Sequence, residues 1–444
     1  MDRAQKIRIT YNLVVLLLPY WELIAQEKPD TLSIGTLQEV LSVAVKNNPG
    51  QEVYRQQVRQ ARYNYQAAQG YWYPAVSGSL SGQQNLSLAV TPVPGILVGQ
   101  PGTTYYAQFG KRYAYNAGIN VTQNLFDWPL TLQAAIGKSN ILLVQAQQDA
   151  YIQTLKNQAA NYYFSAWIAR ASLDISRTDL LYADSLVALA KQRLEEGTAD
   201  VLAFNQASIN YNNVQQNILQ SRQLYDQGIE NLKIILGVRP ATVLVLAGRF
   251  DPDSLVTGAG GSVGADKNLQ VYLRQEWITV LQRRQQKAAA YPILSLSGYF
   301  GDQQYRNDFG LSFANHSWSD YRYIGVNLSI PIFTGLTNFY KYRSSQVQQG
   351  IARLQYENAL KQSLVNDQLL VKSFLNYQEM VRASRANFVL YGHDLLLNQQ
   401  KYREGIVNMD VYCRAFEDYL LAENVYLNNL SQWLSTWGTI LSRE

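Results

Sequence analysis

The sequence predicts an α+β membrane protein in which four β-strands contribute to a β-barrel and two long helical hairpins continue from it. Three observations lead to this fold class: two long stretches without proline, an internal duplication, and segments that alternate between apolar and small polar residues. The 444 residues are 47% hydrophobic and 16% charged, which is too apolar for a disordered chain. No apolar run reaches about 18 residues, which excludes a protein built from several membrane-spanning helices.

The 12 prolines are distributed unevenly. None lies between Pro129 and Pro240, and none follows Pro331. Proline breaks helices more strongly than any other residue. The two proline-free stretches are therefore predicted to be helical, and each follows a proline-bearing segment with strand character.

The first residues predict a signal peptide over residues 1–25. Arg3, Lys6 and Arg8 form a basic region, and the short apolar run 13–18 follows it. A buried first helix is the alternative, but the apolar run is too short for one and polar residues follow it. The sequence therefore favours export.

An internal duplication sets the architecture. Three segments recur in the same order: residues 73–79 as 291–297, residues 118–122 as 325–329, and residues 192–197 as 400–405. Gly118 precedes Gly197 by 79 residues, and Gly325 precedes Gly405 by 80. Two halves of the chain therefore share one layout.

This layout predicts seven segments along the chain. In order they are a signal peptide (1–25), N-terminal periplasmic helices (26–72), a first β-hairpin of the barrel (73–128), a first long helical hairpin (129–236), an equatorial belt and helix (237–290), a second β-hairpin of the barrel (291–334) and a second long helical hairpin (335–444). Residues 237–268 are expected to be irregular.

The strand segments alternate with a period of two. In residues 113–124 an apolar face carries Ile119 and Val121, and the opposite face is small and polar. Residues 323–332 repeat this pattern. The asparagines predicted to face the lumen are Asn116, Asn120, Asn124 and Asn327.

Two environments produce such alternation. A half-buried sheet of a soluble protein usually carries Lys, Glu and Thr outside, whereas these polar faces carry Ser, Asn and Gly. Aromatic residues stand near the strand ends, among them Tyr73, Tyr106, Tyr113, Tyr299, Phe300, Tyr321 and Tyr323. An apolar band flanked by aromatic girdles around a polar lumen is typical of an outer-membrane barrel.

Four strands do not close a membrane barrel, because about eight or more are needed and no unpaired edge survives in lipid. The chain is therefore expected to oligomerise in the membrane. The strands are predicted to pair as two hairpins, joined by irregular segments at residues 85–112 and 302–321. These longer loops are expected to face the cell exterior.

The helical blocks have a heptad pattern with the same phase in both halves. Steps of seven from Ile152 reach Leu194 through apolar residues only, and the corresponding series from Leu360 to Tyr402 has the single polar interruption Asp367. Gly197 and Gly405 then signal helix ends, so each block is predicted to be an antiparallel hairpin. A soluble cytoskeletal rod is the alternative, but it leaves the strands and the export signal unexplained.

These features together resemble the TolC family of outer-membrane efflux proteins over almost the whole mature chain. Residues 36–49, which end in Asn-Pro, are similar to the family's first helix, and the paired Gly-aliphatic-Asn-aliphatic strands and helix tips also match. The resemblance implies a homotrimer with a 12-stranded barrel in outer-membrane lipid and an α-helical tunnel in the periplasm. It further implies a passive exit duct for efflux or type I secretion, joined by a periplasmic adaptor to an inner-membrane transporter.

The resemblance also directs attention to the periplasmic end. The residues expected to contact the adaptor are the helix-tip residues Arg193, Gly197, Arg403 and Gly405. The family's usual acidic positions fall on Ala203 and Val411 here, so the aperture candidates are their neighbours and the matching tyrosine: Asp200, Tyr402, Asp410 and Arg414. An equally weighted alternative is that Asp200 and Asp410 cap the helices that follow them.

Enzymatic chemistry has little support in the sequence. Its two histidines, His316 and His393, form no metal cluster or catalytic triad. The glycine-rich segment 258–264 fails the spacing of phosphate loops and is expected to be a linker. No catalytic residue, metal or cofactor is therefore predicted, and the dispersed net charge of +5 argues against a nucleic-acid partner. An exported structural coiled-coil protein without a channel is the alternative function.

Overall fold

The computed structural model describes residues 31–248, 263–314 and 317–444. The predicted signal peptide at 1–25 lies outside the described residues. The same holds for His316 and for most of the glycine-rich segment 258–264.

The described residues form strands and helices in the order that the duplication predicts. The strands are β1 (Thr31–Ile34), β2 (Ala75–Gln84), β3 (Val90–Pro94), β4 (Thr104–Gln108), β5 (Tyr113–Phe126), β6 (Val243–Leu246), β7 (Ile293–Arg306) and β8 (Ser319–Ser329). The helices are α1 (Leu37–Asn47), α2 (Pro49–Gln69), α3 (Trp128–Glu195), α4 (Val201–Leu236), α5 (Asn268–Ala288), α6 (Thr337–Arg403) and α7 (Met409–Leu441).

Side-chain caps explain where several helices begin. Thr36 and Glu39 form a reciprocal capping box at the start of α1. The Asn48 side chain accepts the N–H of Gly50 at 2.8 Å, and Pro49 occupies the first position of α2. Asp127 caps α3 by accepting the N–H of Leu130 at 3.0 Å. Each cap satisfies a backbone donor that the first turn leaves without a partner.

The two long helices α3 and α6 contain 68 and 67 residues. At 1.5 Å per residue each is about 100 Å long. α3 packs along α4 and α6 packs along α7, so the predicted helical hairpins are present. Every residue of the two heptad series is buried or half-buried, which confirms the predicted seam.

The polar interruption of the second heptad series has a partner. Asp367 forms an ion pair with Arg443, which follows the end of α7. The guanidinium stem is largely buried, with 9% of the Arg443 side chain exposed. The Asp367–Arg443 ion pair therefore joins the end of α7 to the middle of α6.

The four longest strands form one antiparallel sheet in the order β2-β5-β7-β8. The predicted hairpins are β2 with β5 and β7 with β8, and the pairing of β5 with β7 joins them. Two loop predictions were wrong. Residues 85–112 contain the hairpin β3–β4, and β7 and β8 extend to Arg306 and from Ser319, into the segment 302–321 that was expected to be irregular.

The expected irregularity of residues 237–268 was also wrong in part. β6 lies in this segment and pairs in parallel with β1, with Thr31 opposite Val243. Local patterns gave no sign of it because the two strands lie about 200 residues apart in the chain. The main hydrophobic core lies beside this pair, where Trp433, Phe164 and Leu232 pack together with the N-terminal helix α1.

A second buried cluster lies toward the helix tips and includes Leu186, Tyr402, Tyr412 and Phe416. Among the described residues, no helix is both long enough and apolar enough to cross a membrane.

Candidate functional site at the helix tips and the sheet

The two helix tips share one backbone conformation. Gly197 has φ +72° and Gly405 has φ +77°. In each tip the next N–H, that of Thr198 or Ile406, donates to a carbonyl five residues earlier at 2.9 Å. This Schellman arrangement requires the left-handed conformation that glycine adopts without strain. A Cβ on either glycine would meet nothing within 4 Å, so backbone conformation rather than packing requires them.

The helices that follow the tips are capped differently. Asp200 accepts the N–H of Ala203 at 2.8 Å and caps α4. The corresponding cap of α7 is Asn408, which accepts the N–H of Val411 at 3.1 Å. Asp410 lies exposed in the first turn of α7. The capping alternative therefore holds for Asp200 and is wrong for Asp410.

Arg193 joins the first hairpin to the second. Its Nη2 donates to the carbonyl of Tyr402 at 2.7 Å and lies 3.4 Å from the carbonyl of Arg403. Its guanidinium carbon is 4.6 Å from the centre of the Tyr402 ring. These carbonyls end α6, where the helix dipole favours a cation. The residue predicted to contact an adaptor therefore also links the two tips within one chain.

Tyr402 is 2% exposed and packs against the ring of Tyr412, with ring centres 5.7 Å apart. Burial raises the pKa of its phenol and the nearby Arg193 opposes that rise, so the side chain is neutral near pH 7. Within the described residues its hydroxyl has no hydrogen-bond partner. In a single chain Tyr402 therefore packs between the hairpins, and its role at an aperture stays a prediction.

The other aperture candidates lie on the surface. Asp410 and Arg414 line an open groove of about 490 Å³ between α6 and α7, together with Asp394 and Asp418. The structure thus brings together Asp410 and Arg414, whereas Asp200 caps α4 and Tyr402 is buried. The four candidates do not form one cluster in a single chain.

Three further contacts between the hairpins were missed by the sequence analysis. Gln399 donates to the Ser185 hydroxyl at 3.3 Å, and Arg403 donates to the same hydroxyl at 3.4 Å. Gln206 donates to Glu417 at 2.7 Å. The partners are more than 200 residues apart in the chain, and each residue type is ordinary on a helix surface, so the sequence carries no local signal for them.

The predicted polar face of the sheet is continuous across the four strands. Asn120 stands opposite Ser77 on one side and Tyr299 on the other, and its amide donates to the Ser79 hydroxyl at 2.8 Å. The register places Asn116, Asn124 and Asn327 on this same face. The four asparagines therefore share one surface, and its exposure to a lumen is a prediction.

The opposite face of the sheet is apolar and exposed. Its opposed apolar pairs on neighbouring strands include Val76 with Val121, Ile119 with Phe300, and Leu296 with Val326. Ile324 is 71% exposed and Val326 is 67% exposed. An apolar face of this extent on a single chain indicates contact with lipid or protein.

Three of the aromatic residues near the strand ends lie on the polar face of the sheet. Tyr299, Tyr321 and Tyr323 lie on the polar face and contact one another, with ring centres 5.6 to 6.2 Å apart. Tyr299 lies over Gly118 and Gly301, where a Cβ on Gly118 would come within 2.6 Å of its hydroxyl. On β8, alternation from Asn327 places Tyr323 and Tyr321 on this same face.

Known proteins are similar to this chain in sequence and in fold. The family described as outer membrane efflux protein matches residues 40–238. The cation efflux system protein CusC of Escherichia coli O157:H7 is 23% identical over 354 residues, which cover 77% of this chain and 71% of that protein. In the matched residues and in its fold, the chain is therefore similar to outer membrane efflux proteins of the TolC family.

Solved structures of channels in this family have the same fold. A structure of CusC superposes with a TM-score of 0.76 and 18% identity over 93% of each chain. The outer membrane protein VceC from Vibrio cholerae gives a TM-score of 0.73 and 17% identity over 92% of this chain and 95% of that one. The proteins that this chain matches are described as outer membrane channels and efflux proteins.

Proposed function

We propose that three copies of this chain form an outer-membrane exit duct. Each copy supplies four strands to a 12-stranded barrel and two helical hairpins to a periplasmic tunnel. The duct conducts substrate passively from an inner-membrane transporter and a periplasmic adaptor, in a tripartite efflux system or in type I secretion. The observation that carries the proposal is a sheet with one exposed apolar face, one polar face and two unpaired edges.

The sheet edges support closure by copies of the same chain. Because the four strands alternate in direction in the order β2-β5-β7-β8, β8 of one copy runs antiparallel to β2 of the next. Repetition therefore preserves the antiparallel pattern around the ring. Membrane barrels need about eight or more strands and leave no free edge. Two copies reach only the lower limit of eight, and the resemblance of the chain to its family favours three.

The long helices also carry exposed apolar residues that a neighbouring copy would cover. On α6 these include Val347, which is 64% exposed, Leu354, which is 66% exposed, and Leu369, which is 59% exposed. These residues are 7 and 15 positions apart, so they lie on one side of the helix and indicate a packing face. We propose that this face of α6 packs against another copy along the tunnel.

The partner-facing end is assigned to the helix tips. Gly197, Arg403 and Gly405 are exposed, and both glycines lie at the extreme end of their hairpins. We propose the adaptor contact here, with Arg193 at its base. CusC is described as a cation efflux protein, and cargo selection in the present chain is assigned to the transporter and adaptor.

A matched pair of charge substitutions tests the barrel. Val326→Lys places a charge on the apolar face, and Asn327→Lys places the same charge on the polar face of the same strand. Lysine facing lipid near the bilayer centre costs about 2–4 kcal/mol per copy, whereas a lumen position tolerates it. We expect V326K to lower the yield of membrane-inserted trimer strongly, and N327K to assemble and to change single-channel conductance in planar bilayers.

The proposed duct is tested by the oligomeric state and the conductance of the wild-type protein. If the mature wild-type chain purifies as a soluble monomer and produces no conductance, the exported structural coiled-coil protein is the better description. Equal assembly of V326K and N327K would reject the assignment of the two faces, because lipid would then not contact Val326. Light scattering of the detergent-extracted protein measures the number of chains in each case.

A further inference from the structure

Two carboxyl groups are buried where the first hairpin meets the second. Asp179 of α3 is 1% exposed and Glu423 of α7 is 4% exposed. The hydroxyl of Tyr419, which is 7% exposed, lies 2.9 Å from Asp179 Oδ1 and donates to it. Buried carboxyl groups are rare unless they are paired. The two carboxyls lie on different hairpins, so their pairing is a contact between hairpins.

Glu423 lies one helical turn from Tyr419 on the same face of α7, so its buried carboxyl group lies beside the Asp179 carboxyl that Tyr419 contacts, and the two groups interact. Two ionised carboxylates are acceptors only, so a hydrogen bond between them requires a proton on one of them. Like charges at this separation in a buried site also disfavour double ionisation. Near neutral pH the pair therefore holds one proton, and Tyr419 donates a further hydrogen bond to its Asp179 side.

Among the described residues, the groups that face the pair provide no cation. The titratable groups that act on Tyr419 are Asp179 and Glu423 themselves and the Tyr182 phenol of α3. From α6 the ring of Phe388 stacks on Tyr419, with ring centres 5.3 Å apart. The α4 side chains in the adjoining groove are uncharged where they face it, and include Asn217, Gln220 and Ser221. A proton shared between the two carboxyl groups therefore reduces the charge of the pair from two negative charges to one.

An open groove connects this pair to solvent. It has a volume of about 500 Å³, lies between α3, α4 and α7, and includes Glu423 in its lining. Its walls are rich in Ser, Asn and Gln. Water can enter a polar groove of this size, so the proton on the pair exchanges with the surrounding solution.

The pair lies at the same level on both hairpins. Asp179 precedes Gly197 by 18 residues and Glu423 follows Gly405 by 18 residues, which places both about 27 Å from the tips at 1.5 Å per residue. Between the pair and the tips, the hairpins are also joined by Ser185 with Gln399 and by Arg193. Any separation of the two hairpins that begins at the tips and continues along them must also part Asp179 from Glu423.

We propose that Asp179 and Glu423 form a proton-controlled latch, which holds α3 against α7 while the pair carries one proton and releases them when that proton is lost. Loss of the proton leaves two negative charges in contact in a buried site. Separation of the hairpins then relieves the repulsion by admitting water. The latch concerns the contact between hairpins and does not depend on conduction through a channel.

The sign of the pH dependence follows from the buried state. Burial, and then the charge of Asp179, raise the pKa of Glu423 from 4.5 to about 9. Burial likewise raises the pKa of Asp179. A group with a raised pKa in the folded state contributes full stability below its unfolded pKa and loses that contribution as the pH rises to the folded value. The latch is therefore strongest in acid and weakens up to about pH 9.

Glu423→Gln tests the latch, because its amide keeps the shape, donates to Asp179 and has no proton to lose. Spin labels on cysteines at the exposed positions Lys191 of α3 and Asp418 of α7 would report the separation of the hairpins in the full-length assembled protein. The native Cys413 is 2% exposed and remains unlabelled. We expect the wild-type distance distribution to broaden and lengthen between pH 7 and pH 10, and that of E423Q to stay constant.

The matched control is Asp184→Asn, which removes an exposed carboxylate from α3 and should behave as wild type. If E423Q folds poorly, the double variant Asp179→Asn with Glu423→Gln keeps two mutually bonded amides and should also be insensitive to pH. A wild-type distance that is unchanged up to pH 10 would overturn the latch, as would an E423Q response equal to that of wild type. Failure of conductance would leave these distances unaffected, so the latch and the duct are tested separately.

Discussion

Replacing Arg193 by alanine removes the side chain that joins the two helix tips. In the structure its Nη2 donates to the Tyr402 carbonyl at 2.7 Å, and its guanidinium lies over the Tyr402 ring at 4.6 Å. Both contacts are lost in R193A, whereas the heptad packing of α3 against α4 remains. We therefore expect local loosening of the tips without loss of the fold.

The size of the effect follows from these two contacts. A hydrogen bond from a charged donor contributes about 1.5–3 kcal/mol, and a cation–π contact at an exposed site contributes about 0.5–1 kcal/mol. Because Arg193 is half-exposed, the lower values apply, and their sum is about 2 kcal/mol. At 1.4 kcal/mol per factor of ten, this is roughly a 30-fold increase in the opening equilibrium of the tip contact.

Hydrogen exchange of the last turns of α6 measures that equilibrium. Peptides that cover residues 396–405 should exchange roughly 30-fold faster in R193A than in the wild type, because exchange from local opening follows its free energy. Arg193→Lys keeps the charge but loses the planar fork, and its rate should lie between the two. In the proposed duct, the same loosening would raise the fraction of time that the channel conducts.

Arg177→Ala is the control for charge on α3. Its side chain is 73% exposed and forms an ion pair with Asp174 one turn away, and surface pairs of this kind contribute little. The reasoning would be refuted if R193A exchanged at the wild-type rate, or if R177A accelerated exchange at the α6 tip as much as R193A does. Either outcome would mean that Arg193 does not hold the tips together.

Three further predictions concern the tips and the tunnel helices. Asp200→Ala removes the cap of α4 and should lower the free energy of unfolding by about 1 kcal/mol, whereas Asp410→Ala should change it by less than about 0.5 kcal/mol; chemical unfolding measures both. Gly405→Ala should destabilise by roughly 1 kcal/mol because φ is +77°, whereas Gly350→Ala, at an exposed interior position of α6, should stabilise by about 0.5–1 kcal/mol. Burial raises the pKa of Cys413 to about 12, so a thiol reagent at pH 8 should label it only after unfolding.

Each of these predictions has a result that contradicts it. Equal losses of unfolding free energy in D200A and D410A would show that the cap formed by Asp200 does not stabilise α4. A stabilising G405A would mean that the tip adopts another backbone conformation in solution. Rapid labelling of native Cys413 would contradict the burial of α7 against its neighbours. Conductance measured on D200A and D410A tests their aperture role separately, and unchanged values in both would remove them from it.

Predictions from local pattern succeeded where the chain repeats a short period. The heptad series that starts at Ile152 identified residues that the structure buries along α3. Gly197 and Gly405 marked the helix ends because a left-handed residue terminates a helix whatever lies around it. Alternation along β5 and β8 assigned the asparagine face correctly, since a strand places every second side chain on one side.

The failures occurred where distant segments meet. The hairpin β3–β4 contains Pro92 and Pro94, which argue against a strand in any sequence-based assignment, and it forms as an isolated two-stranded pair in which the missing N–H groups are tolerated. The β1–β6 pairing joins segments about 200 residues apart in the chain, so no local pattern indicates it.

The sequence by itself determined the strand-helix duplication, the heptad seam, the turn glycines and the resemblance to outer-membrane efflux proteins, because each depends on residues within a few turns of one another. Only the tertiary structure placed Arg193 against Tyr402 and buried Asp179 against Glu423. An aspartate on a helix surface and one between two hairpins look alike in a sequence. The difference arises when α3 and α7 pack together and remove water from both carboxyl groups, which makes a shared proton necessary.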